Sequence, residues 1–187
     1  MGFMKTRWTD KVDNNNPLPE YPRPQMERSD WMSMNGIYEY AIVDKNVEWV
    51  DNFQGEIVVP FAVECMLSGV EKPLKPDQKL WYKKTFLIPE NMKGNNILLN
   101  FGAVDWECSV YINGELAGTH RGGYATFSID ITRLLKDGEN ELVVSVYDPT
   151  EIYMEGPDFS SVVQYQSEVY GFENLISYLH AAGIEEE

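Results

Sequence analysis

Alternation of apolar and polar residues dominates the middle of this chain, the two-residue period of strands that lay one face on a core. The clearest run is Leu80 to Ile88. Tyr82, Lys84 and Phe86 fall on one face, Trp81, Lys83 and Thr85 on the other, and Pro89 stops it. Trp106 to Ile112 alternates as cleanly, with Trp106, Cys108, Val110 and Ile112 facing one way and Glu107, Ser109 and Tyr111 the other. Asn113-Gly114 then closes a hairpin onto Glu115 to His120. Further strands are predicted over Ile37 to Val43 after Asn35-Gly36, Glu56 to Val59 before Pro60, and Ile97 to Phe101 after Gly94-Asn95-Asn96. Thr126 to Ile131 follows Gly122-Gly123, one helical turn is expected over Thr132 to Leu135, and Glu141 to Tyr147 follows Asp137-Gly138. About eight short strands with regular turn signals and no intervening helices predict an all-β antiparallel sandwich or jelly roll.

The two ends read differently. Val12 to Pro24 is Asn-rich and then Pro-rich, which suits an extended arm over residues 1–24 lying on the domain surface. Val162, Tyr165, Val169, Phe172, Ile176 and Leu179 recur at spacings of three and four, an apolar stripe that predicts a helical tail over 151–187, split at Gly171. The sandwich is thereby assigned to residues 25–150.

Composition narrows the function. The chain has 187 residues, 43% hydrophobic and 13% aromatic, which suits one globular domain. A sandwich plus a (β/α)8 barrel, which alone needs about 250 residues, would not fit. A net charge of −15 repels nucleic acid and anionic membranes, leaving neutral ligands and protein partners. No run of about 18 apolar residues offers a membrane span, and Met1 to Asn16 lacks the apolar stretch of a signal peptide. The chain therefore reads as cytoplasmic, or as secreted after loss of a leader. Cys65 and Cys108 read as buried free thiols, with a disulfide as the alternative. With only His120 and His180 beside them no zinc set forms, and no cofactor is expected.

Several segments in order resemble the N-terminal sugar-binding domain of family 2 glycoside hydrolases. They are Pro22-Arg23-Pro24-Gln25 with Trp31 and Asn35-Gly36, Ile57 to Glu64 (IVVPFAVE), Leu80 to Phe86 (LWYKKTF), and Phe101 to Phe127 (FGAVDWECSVYINGELAGTHRGGYATF). Asp137 to Val144 (DGENELVV) and Val146 to Thr150 (VYDPT) continue the likeness. The resemblance implies a galactose-binding-domain-like jelly roll, which in that family packs against an immunoglobulin-like domain and a catalytic barrel that carries both catalytic glutamates. It also implies a closing Gly-Ile-Trp-type strand after Thr150, where this chain instead reads EIYMEGPDFSSVVQYQSEVYGF. Glu56, Glu64 and Glu107 are accordingly not expected to act as a catalytic pair, and no activity is expected of the chain on its own.

A sugar presents hydroxyls around an apolar C–H face, so its site needs an aromatic plate beside polar partners. Asp105-Trp106-Glu107 supplies both at the start of a strand, although the register of Trp106 with Cys108 and Val110 predicts a core residue rather than a plate. His120, Arg121 and Tyr124 flank the flexible Gly122-Gly123 pair and form a second candidate cluster, with Glu64 beyond Pro60-Phe61 as a further one. The leading expectation is a non-catalytic, carbohydrate-associated domain that binds glycan weakly or docks to a glycosidase catalytic domain. The alternative is a structural module that forms a homodimer through its tail or an open strand edge.

Overall fold

The computed structural model describes residue 7, residues 9–22, residue 25 and residues 27–149, and the predicted tail helix lies outside these residues. The first of the chain's two units ends at Pro149. It holds eight strands among the described residues: β1 (Gly36–Asp44), β2 (Gly55–Val59), β3 (Gln78–Phe86), β4 (Leu98–Phe101), β5 (Glu107–Ile112), β6 (Glu115–Arg121), β7 (Phe127–Asp130) and β8 (Asn140–Tyr147). The helical turn predicted after β7 is present as a 3-10 turn over Thr132–Leu134. Every ladder is antiparallel, in a six-stranded sheet ordered β2-β1-β3-β8-β5-β6 and a two-stranded sheet β4-β7. This is the antiparallel sandwich that the alternation predicts.

The alternation explains how the layers meet. Tyr38 and Tyr40 of β1, Leu80 and Phe86 of β3, Cys108, Val110 and Ile112 of β5, and Leu142, Val144 and Val146 of β8 point inward and share one core with Leu99 of β4. Ile57, Val110 and Ile112 are wholly buried in it. Burying each side chain of this size contributes about 1.5–3 kcal/mol. The opposite face of the large sheet is also partly covered. Ala41, Trp81 and Val143 pack there with Val50 from the β1–β2 connection, and Trp49 and Tyr111 lie against the Trp81 ring. The large sheet is therefore apolar on both faces around Trp81, which is why the β3 residues on either side of the strand are large.

Two side-chain amides fix the turns that bring β8 between β3 and β5. Asn113 takes a left-handed φ of 51° in the β5–β6 turn, and its Nδ2 donates to the Leu134 carbonyl and to Asn140 Oδ1, both at 2.8 Å. Its Oδ1 accepts from the Glu141 amide at 3.0 Å. Asn140, 1% exposed, donates through Nδ2 to the carbonyls of Lys136 and Gly138 and accepts from the Lys136 amide. All the polar atoms of a buried amide are thus occupied, as burial demands. At the other end of the sheet, the arm is less superficial than its composition predicts. Pro17 is fully buried, and its carbonyl accepts from Asn35 Nδ2 at the entry to β1.

Asn140→Ala is expected to lower the unfolding free energy by roughly 2–3 kcal/mol, because it removes a buried amide and leaves its part-buried partners on Asn113 and Lys136 without their bonds. Asn140→Asp keeps the acceptor and loses less. Urea denaturation of the two variants decides, and equal losses would count against the network.

Candidate functional site

Four of the residues singled out in the sequence come together where β5 begins and β6 ends. Glu107 and Arg121 are directly opposed across the β5–β6 ladder, and Arg121 Nη2 donates to Glu107 Oε1 at 3.0 Å. Both ends of this pair face solvent, so it positions the strand ends and adds only about 0–1 kcal/mol. The chain turns immediately beyond it. The Gly122 amide donates to the Trp106 carbonyl at 2.7 Å and the Trp106 amide to the Tyr147 carbonyl at 3.4 Å, so residue 106 is held on both sides. The Asp105–Trp106 peptide is cis.

Trp106 departs from its predicted place. It is 41% exposed rather than part of the core. β5 begins at Glu107, so residue 106 stands past the last ladder pair, at the end of the sheet, where the alternation no longer leads inward. Tyr124, in the loop after β6, is 90% exposed. The sandwich end therefore presents two aromatic side chains to solvent beside the Asp105 carboxylate.

Gly123 explains how Asp105 is seated: a Cβ at position 123 would overlap the Asp105 carboxylate, which would then have to turn aside. Burial against this backbone raises the Asp105 pKa above the ordinary carboxylate range, and the nearby charge of Asp148 raises it further. His120 turns the other way. Its ring stacks on Phe127 with centroids 4.0 Å apart, and Phe127 stacks on Phe101 at 4.6 Å, so three rings join β6 to the two-stranded sheet. His120 Nε2 lies 3.2 Å from the Gly122 carbonyl. Glu64 is exposed and does not join the cluster: its charge is felt at Tyr82 on β3, three ladders away from β6, where burial and then Glu64 push the phenol pKa up. Burial likewise raises the pKa of the Cys108 thiol, and both Cys65 and Cys108 are free thiols.

One feature escaped the sequence. The outer face of the large sheet carries an open depression of about 320 Å³ lined by Lys45, Lys79, Glu107, Ser109, Ser145 and Tyr147. Its residues come from four separate stretches and gather only through the β3-β8-β5 order. The signal available in sequence was the exposed-face parity of Glu107, Ser109, Ser145 and Tyr147, which becomes readable only once β5 and β8 are paired. Among the described residues no three His, Cys, Asp or Glu side chains group closely enough to hold a metal ion, and no helix is long and apolar enough to cross a membrane.

Known proteins share this framework. Residues 70–166, just over half of the chain, match the family described as glycosyl hydrolase 2 galactose-binding domain-like. A β-galactosidase of Thermoanaerobacter pseudethanolicus is 35% identical over 85 residues, which cover 46% of this chain and 11% of that protein. A putative β-glucuronidase of Formosa agariphila is 43% identical over 83 residues, covering 42% and 10%. Among solved structures, the β-glucuronidase of Ruminococcus gnavus in complex with C6-substituted uronic isofagomine superposes with a TM-score of 0.55 at 20% identity, over 69% of this chain and 23% of that one. The Faecalibacterium prausnitzii β-glucuronidase gives 0.52 at 20%, over 74% and 27%. At such identity the structural likeness speaks for the fold alone. The chain spans about a tenth of the length of these curated relatives.

Two outcomes test the geometry around Asp105. Gly123→Ala should cost about 1–3 kcal/mol of stability, and Asp105→Ala in the same chain should relieve it. A coupling below about 0.5 kcal/mol in the double-mutant cycle would contradict the contact. Because the Asp105 pKa is raised, its contribution favours the fold below the ordinary carboxylate range and is lost as pH rises through the raised value. Asp148→Asn should lower the Asp105 pKa only part of the way back, since burial is the larger cause, and a carboxyl-resolved NMR titration reads this directly.

Proposed function

The chain belongs to the glycosyl hydrolase 2 galactose-binding domain-like family, and from that premise we propose that residues 25–150 form a non-catalytic, carbohydrate-associated domain of a family 2 glycosidase. In this reading it contacts saccharide weakly at the sandwich end that carries Asp105, Trp106 and Tyr124. The observation that supports it most is the exposure of Trp106 and Tyr124 beside a carboxylate. An indole face accepts the apolar C–H face of a sugar ring, while Asp105 accepts hydrogen bonds from hydroxyls. The Glu107–Arg121 pair holds the strand ends that position both.

The carboxylates speak against hydrolysis by this domain. A retaining glycosidase needs two carboxyl groups about 5–5.5 Å apart across the scissile bond. Glu107 is engaged by Arg121, and Glu64 interacts with Tyr82 on a strand three ladders from β6. The relatives are glycosidases, and the chain corresponds to a small part of each. Docking onto a glycosidase catalytic domain is the second reading, favoured by the near-complete exposure of Tyr124, since aromatic side chains of this kind are enriched at interfaces.

Calorimetric titration of the chain with galactosides, glucuronides and mannosides tests the first reading. Weak binding is expected, reduced roughly tenfold by Trp106→Ala as a stacking contact is lost. No heat across the panel from a folded sample would remove glycan binding. Docking would then have to be shown as association with a family 2 catalytic domain that Tyr124→Ala weakens.

A further inference from the structure

From the outer face of the large sheet, we infer a second ligand site, the depression between Lys45 and Tyr147, which takes an anionic saccharide: a sugar ring whose carboxylate or sulfate ester is held by Lys45 and Lys79. The inference shares only Glu107 with the sandwich end, and its two lysines stand apart from that reading.

The depression is built by the ladder. Glu107 opposes Tyr147, and Ser109 opposes Ser145, across β5 and β8. Lys79 and Tyr147 follow the Leu80–Val146 pair on β3 and β8. Directly opposed residues share a face, and Ser145 also opposes Trp81, so these side chains stand on the outer face beside the Trp81 cluster. Lys45 closes the rim from the turn after β1, its Nζ 6.0 Å from the centre of the Tyr147 ring.

Charge makes the location unusual. The chain carries thirty Asp and Glu against fifteen Lys and Arg, so carboxylate partners are abundant. Lys83 pairs with Glu39, Lys93 with Glu90 and Arg121 with Glu107. Lys45 and Lys79 have no carboxylate within ion-pair distance among the described residues, yet both line the depression. On the wall Glu107 pairs with Arg121, and at the rim Asp44 accepts from Asn46. Lys45 and Lys79 thus leave two ammonium groups there to give an anion charge-assisted hydrogen bonds.

The rest of the lining argues for a saccharide rather than a bare ion. About 320 Å³ lies in the range of small-molecule sites and exceeds what one oxyanion fills. Ser109 and Ser145 each bring a hydroxyl, and Glu107, held by Arg121, keeps carboxylate oxygen that can accept from a sugar hydroxyl. The Tyr147 ring offers an apolar side, its own hydroxyl being occupied by the Pro76 carbonyl at 3.2 Å.

The test is an amide NMR titration of the full, isotope-labelled chain with D-glucuronate, galactose 6-sulfate, galactose and sodium sulfate. The two anionic sugars should shift the amides of Lys79, Ser109, Ser145 and Tyr147, galactose should not, and sodium sulfate should bind at least about tenfold more weakly than either. Lys79→Ala and Lys45→Ala should each weaken the anionic sugars about tenfold. Lys45 sits outside the strands, so its variant keeps the test decisive if Lys79→Ala disturbs β3. Equal shifts with galactose would overturn the anionic claim, and equal binding of sodium sulfate the saccharide claim. Unshifted amides, or lysine variants with unchanged affinity, would overturn the site. Shifts abolished by Trp106→Ala would show that no independent site exists.

Discussion

The last strand described in this chain has to be seated in the middle of its sheet, and the interaction that makes this possible is the pairing of the Asn113 and Asn140 side-chain amides. β8 lies between β3 and β5, strands that precede it by some dozens of residues, and it supplies Leu142, Val144 and Val146 to the main core and Val143 to the outer cluster. A shift of one residue would send each of these to the wrong face. The amide pair locks the register where the β5–β6 turn and the start of β8 meet, using hydrogen bonds whose donors and acceptors all lie within the fold. Both surfaces discussed above, the sandwich end and the outer depression, inherit their geometry from that register, since Glu107 opposes Tyr147 only when β8 is so placed.

Much of this was legible in the sequence because the relevant physics is local. Period-two patterning located all eight strands to within a residue or two of their bounds, and Asn113-Gly114 announced its hairpin through the left-handed conformation that these residues tolerate. The end of the pattern was the weak point. Alternation extrapolated through Trp106 places that ring in the core, whereas the ladder starts one residue later, and no local signal marks where a strand ceases to be covered. Of the candidate residues, Asp105, Glu107 and Arg121 could be nominated by type, but the Glu107–Arg121 pair and the close approach of Gly123 to Asp105 depend on how β5 and β6 are aligned. The depression was hidden for the same reason, more severely: Lys45, Lys79 and Tyr147 are ordinary surface residues until three strands are set side by side.

The distribution of charge links these levels. An acidic chain of this kind stays apart from polyanions and is poorly suited to gather anions in general. Its cations therefore carry information by their placement. Those paired to carboxylates, such as Lys83 and Arg121, brace the sheet surface and its end. Lys84 is drawn inward instead, where its Nζ donates to the carbonyls of Met34 and Asn35 and sits over the Tyr38 ring, and burial lowers its pKa.

The stack of His120, Phe127 and Phe101 has a mechanical meaning. Neighbouring rings are nearly parallel, 9° and 12° apart, so they meet through flat faces, while the branched Ile129 of β7 sits over Gly118 of β6 beside them. Such a contact resists being pulled apart, because separation exposes both faces to water. The small sheet is thus clamped to this edge by stacked rings and by Ile129 over Gly118, and the interior is sealed there without a hydrogen-bonded ladder. The loop after β6, whose carbonyl at Gly122 meets the His120 ring, is moored to that clamp, so Tyr124 is carried out into solvent from an anchored base.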